Sequence, residues 1–299
     1  MEHTRLKYSG ITGLRTGIAV IAGAALVLSL FLSGVILHPE SIGNNGRSLF
    51  IIDTALVLLF GAVGTWALCQ RSPNAGASLS VGSAVGFMLG IIHILHHTAE
   101  FFSYLGENGR GLFIIGAGHT LLILALLCAG GSAVHERTGS ILFSIAAGIC
   151  SAILSALILV AFGLSVNLLF EPQVLQRMRE AYLSSGIKDP GAFIVRNAME
   201  SALDAFLRLP ILALILSFAG GMANLWVNRR ERRTIIILAL LMPIVFAAGA
   251  VLLWYANSLE RSARPPYIMV GLLLSAVSLT SVIPVWRIFF NKGNIKGQG

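Results

Sequence analysis

Residues 17–37 read GIAVIAGAALVLSLFLSGVIL, without a single charge. A run of this length makes a helix that crosses about 30 Å of hydrocarbon, where each backbone N–H and C=O must be satisfied within its own segment. The pattern recurs along the whole chain. Spans are expected at 14–37, 49–69, 81–102, 112–134, 140–164, 203–226, 234–256 and 267–290. Charged residues are 11% of the chain, against about 25% in a soluble domain, too few to clothe a water-facing surface. The fold class is therefore all-α, a polytopic integral membrane bundle of eight transmembrane helices whose first partner is the lipid bilayer. Span 1 is not read as a cleaved signal, because its apolar core is too long and lacks a small-residue cleavage site.

The net charge of +8 does not indicate nucleic acid. In a membrane protein, surplus Lys and Arg belong to the cytoplasmic loops. With the N-terminus inside, the inner segments hold twelve Lys and Arg and the short outer loops four, with NRRERR (228–233) as the anchor. Both termini are then cytoplasmic and the membrane is the plasma (inner) membrane. The connection at 171–202 is an extracytoplasmic amphipathic insert. Val174, Leu175, Met178 and Tyr182 share one helical face, Pro190 and Gly191 break it, and Arg196, Glu200, Asp204 and Arg208 follow at four-residue spacing, an order of signs that suits a ladder of ion pairs along a helix entering span 6. The expectation is a pair of interfacial helices lying on the outer surface.

GNNGRSLFII (43–52) and GENGRGLFII (106–115) match at eight of ten positions with an offset of 63. Asn-Gly alone follows from turn chemistry, but Arg followed by Leu-Phe-Ile-Ile does not. Spans 1–2 and 3–4 are therefore read as a duplicated helical hairpin, expected to pack about an axis along the membrane normal. Residues 1–137 form this four-helix module and 138–299 a second.

Ionisable residues concentrate in the first module. HILHHTAE (93–100) closes span 3, His119 lies in span 4, Asp53 in span 2, and His38 at the end of span 1. At 100° per residue, Gly82, Gly86, Gly90, His93, His97 and Glu100 fall on one stripe. Small residues at four-residue spacing admit a close helix, so His93 and His97 are expected to face the bundle, with His96 set aside.

Three readings follow. Imidazoles on facing helices suit a Zn, Fe or Cu ion or a haem b, so His93, His97 and His119, with Glu100 or Asp53 as further ligands, make a candidate metal- or haem-binding redox site near the outer leaflet. The same groups suit a proton relay in a transporter, permease or coupling subunit. Or they are satisfied packing groups in a non-catalytic partner of other membrane subunits. HILHH also resembles one HxxHH histidine box of the membrane di-iron desaturases and hydroxylases; that family uses several boxes and this chain has one, so the resemblance stops at five residues. No lysine lies inside a span to hold a retinal, and no GxxxxGK[ST] nucleotide-binding loop occurs. Cys69, Cys128 and Cys150 are scattered in apolar runs and form no CxxC pair.

Overall fold

A computed structural model describes residues 2–43, 46–103 and 109–229. The spans expected at 234–256 and 267–290 lie outside the described residues. Within them the chain is helical: α1 Glu2–Leu37, a 3-10 turn Pro39–Ile42, α2 Gly46–Cys69, α3 Pro73–Ser103, α4 Gly109–Thr138, α5 Ile141–Leu169, the short α6 Glu171–Arg177 and α7 Arg179–Ser185, and α8 Pro190–Arg229. Six of these (α1–α5 and α8) are long and apolar enough to cross a membrane, which makes this a multi-pass membrane protein. The two matching motifs each open a helix at the same glycine, Gly46 in α2 and Gly109 in α4.

The centre belongs to α5. It packs against α1, α3, α4 and α8, while α2 packs on α1, α8 and the 3-10 turn. Glycine sets the spacing. A Cβ at Gly82 would lie 2.7 Å from the Ala147 carbonyl oxygen and one at Gly86 2.6 Å from that of Ser151. The Ser151 hydroxyl donates to the Gly82 carbonyl at 2.9 Å. The glycine stripe of span 3 therefore admits α5, so that α3 and α5 meet nearly backbone to backbone.

The largest departure from expectation is α8. Its residues run unbroken from Pro190, so the charge ladder lies on the helix that enters span 6 as expected, but residues 190–202 extend that helix and form no separate interfacial one. The cause is local. Asp189 caps the helix: its Oδ1 accepts from the Gly191 N–H at 3.0 Å and its carbonyl from Phe193 N–H at 3.1 Å. Pro190 takes the first helical position, where a missing N–H costs nothing. Pro190 and Gly191 thus break the chain after α7 and start the next helix. Ala192, Ile194, Val195 and Met199 are buried at once. The apolar face read at 174–182 does form: Val174, Leu175, Met178 and Tyr182 pack on Phe193 and Ile194.

Asp189 also ties α8 to α1. His38 Nδ1 lies 3.1 Å from Asp189 Oδ2, and the His38 ring fills the space a side chain on Gly191 would need. Asp189→Ala should therefore lose both the cap and the tie, destabilising the protein by about 1–2 kcal/mol, read as a fall in thermal midpoint in detergent; Asp189→Asn, which still caps, should lose less.

Candidate functional site

His93 and His96 of α3 meet His119 of α4 between the two helices. His93 is buried, and its Nδ1 lies 3.0 Å from His119 Nε2. The rings meet edge to face, with centroids 4.9 Å apart. His96 stacks on His119 at 4.0 Å with an interplanar angle of 13°. Gly116, on α4, would meet His96 at 3.9 Å if it carried a Cβ, an ordinary contact that leaves the ring room. His97 is exposed, its ring 5.5 Å from His96. Glu100 lies in α3 three residues further on.

His96 is thus the residue that sequence arithmetic undervalued. Its helical angle points away from the glycine stripe. That stripe marks the contact with α5, whereas α4 packs on another flank of α3, and His96 points there. His97, on the stripe, lies beyond the glycines that hold α5 close.

The contact between His93 and His119 is a hydrogen bond, so the two rings hold complementary protons. If His119 Nε2–H donates, His93 keeps its proton on Nε2. If His93 Nδ1–H donates, His93 Nε2 is a bare lone pair. In both arrangements Nε2 of His93 is buried and has no hydrogen-bond partner among the described residues. Among the described residues, no three His, Cys, Asp or Glu come together in a way that would hold a metal ion. The 3.0 Å spacing is also shorter than the roughly 4 Å that two axial nitrogens need on opposite sides of one metal, at about 2 Å per bond. As arranged, the pair fits a shared proton better than the two axial positions of a haem iron.

Asp53 stands apart from this group. It is fully buried on the α2 stripe that continues through Val57, Phe60, Gly64 and Ala67. Neither carboxyl oxygen has a hydrogen-bond partner among the described residues. Phe60 meets Phe206 of α8 edge to face at 5.4 Å. Seven residues back along each helix, Asp53 comes level with Met199. A bare carboxylate in such surroundings is costly, and an intramembrane carboxyl carries a proton or a cation. A hydrophobic carbodiimide, which adds to the acid form, should therefore label Asp53 in membranes, and peptide mapping should find that label gone in Asp53→Asn. An unlabelled Asp53 would mean that a donor or cation already holds it.

Comparison with protein-family models, with curated proteins and with solved structures found no match.

Proposed function

We propose that this multi-pass membrane protein handles protons through the His93–His119 pair, as a proton-coupled transporter or the coupling subunit of a larger membrane assembly. One observation carries the reading: a buried imidazole, His93, joined to the half-buried His119 by a 3.0 Å hydrogen bond, with the far nitrogen of His93 unpartnered among the described residues. A proton arriving at His119 Nδ1 is matched by transfer of the shared proton from His119 Nε2 to His93 Nδ1 and by release from His93 Nε2 to a water molecule, which this reading requires to reach that nitrogen. Both rings end as the opposite tautomers, ready to reset. His96 and His97 extend the chain of imidazoles toward the end of α3. The lysine and arginine bias supports this end lying on the outer side with both termini cytoplasmic, and on this reading the membrane is the plasma membrane.

The duplicated hairpin fits the same picture. Thr16 Oγ1 lies 3.5 Å from the Leu79 carbonyl, a separation of 63 residues, which is the offset of the repeated motif. Contact between equivalent positions of α1 and α3 is what two copies about an axis along the membrane normal would produce. On this reading residues 1–137 are the duplicated module and 138–299 a second module whose α5 packs into the first. The histidines are an addition to the second copy: at the same offset, His93 and His119 correspond to Leu30 and Leu56.

The test is purified protein in proteoliposomes, with a pH-sensitive dye inside and elemental analysis of the same preparation. The reading requires proton movement driven by an imposed gradient. Stoichiometric Fe, Cu or Zn that disappears in a His93→Ala, His119→Ala variant would replace it with the metal-site reading.

A further inference from the structure

The charged residues of α8 occupy an unexpected depth. Arg196 pairs with Glu200 at 3.5 Å and Arg208 with Asp204. The side chains of Glu200, Asp204 and Arg208 are 54%, 48% and 80% exposed. Register with the neighbouring helices fixes where they lie. On α5, Gly148 abuts Ser217 of α8, and Ser144 abuts Gly221, so the two helices run antiparallel. Nine residues on from the Gly148–Ser217 contact, Arg208 comes level with Leu157, close to the middle of Ile141–Leu169. At the other end Gly34 of α1 abuts Val195, and His38 abuts Gly191. The charged stripe therefore starts beside the end of α1 and descends to mid-bundle.

The surroundings at those depths are apolar. By the same register, Ile36, Leu32 and Leu26 of α1 stand level with residues 193, 197 and 203 of α8, and all three are exposed. Below Arg208 the exposed surface of α8 itself turns apolar, at Ile211, Leu214, Ile215 and Phe218. Pro210 marks the change; lacking an N–H, it leaves the Phe206 carbonyl without its helical donor. Lipid does not solvate an exposed Arg at mid-depth, and such groups face a water-filled cavity or a polar partner. The apolar stretches at 234–256 and 267–290 contain no acidic residue to meet it.

We infer that this face of α8 borders water: an aqueous recess opens at the α6–α7 end, reaches the middle of the bundle along Glu200, Asp204 and Arg208, and closes at Ile211. The paired charges leave its wall close to neutral, which suits small hydrated ions of either sign and excludes lipid-like solutes. The recess stands whether or not the histidines carry protons.

Single cysteines test it, in a Cys69→Ser background because Cys69 is the exposed native thiol among the described residues. Ser201→Cys, Asp204→Cys and Arg208→Cys should react with a membrane-impermeant maleimide added to one side of sealed vesicles. Ile211→Cys and Leu214→Cys should react only after denaturation. Ser201 is exposed and its replacement leaves both ion pairs intact, so a misfolded charge variant does not blunt the experiment. Silence at Ser201→Cys and Arg208→Cys from both sides would overturn the recess in favour of a protein-covered face. Equal reaction at Ile211→Cys and Leu214→Cys would overturn it by placing this part of α8 outside the bilayer.

Discussion

Gly220→Val should unfold the bundle at far milder conditions than wild type. A Cβ at Gly220 would fall on the Cys128 carbonyl oxygen, and one at Gly131 on that of Ser217. The obstacle on each side is backbone, so no side chain can swing away and the helices must part. Parting them also loses two hydrogen bonds, from Ser217 Oγ to the Leu127 carbonyl at 3.3 Å and from Asn224 Nδ2 to the Ser132 carbonyl at 2.8 Å. Overpacking alone costs about 1–3 kcal/mol, and interhelical hydrogen bonds in membranes average about 0.6 kcal/mol each. A loss of about 2–4 kcal/mol is therefore expected, measured by unfolding in mixed micelles of increasing denaturing detergent. Gly163→Ala is the control, because a Cβ there meets nothing within 4 Å; its effect should stay within about 0.5 kcal/mol. Equal midpoints for the two variants would show that α4 and α8 are not in backbone contact.

That contact also marks a limit on what a membrane sequence reveals. Apolar length located the spans, because the bilayer demands it of every crossing helix. The glycine stripe of α3 announced a close neighbour, since small residues serve no other helix face so regularly. Neither said which neighbour. In a soluble protein a polar face tells a helix which way is out, but here lipid and core are both apolar and that contrast is lost. The central place of α5 was invisible for this reason: Ser151, Ser144 and Gly148 look like incidental small residues until α3 and α8 are set against them. His96 was misjudged by the same gap, since one stripe names one partner and α3 has two. The reach of α8 was hidden for a different reason. Arg196 to Arg208 read as an ion-pair ladder on a helix entering span 6, and so they lie, but the start of that helix is legible only when Asp189 is taken as its cap, the chemistry of an Asp before Pro.

His93→Gln should abolish proton movement while leaving the fold in place. Glutamine can keep a hydrogen bond to His119, so the packing loss is small and the thermal midpoint should shift little. It cannot take a proton at one end and release another at the far end, because its amide has no second tautomer of comparable energy. A positioned acid–base group contributes about 10²–10⁴-fold to proton transfer, so flux in proteoliposomes should fall at least about a hundredfold. His119→Gln should do the same. The double variant should be no slower than either single one, since groups that act as a unit are lost together at the first substitution. His96→Gln should be intermediate, as its ring stacks on His119 outside the hydrogen-bonded pair, and exposed His97 should matter least. This ranking separates a relay from a packing role: if the imidazoles only filled space, His93→Gln would leave flux intact and the losses would follow thermal midpoints instead. Unchanged flux in a stably folded His93→Gln protein would end the relay proposal, and the recess along α8 would then have to deliver its ions by a route that bypasses α3 and α4.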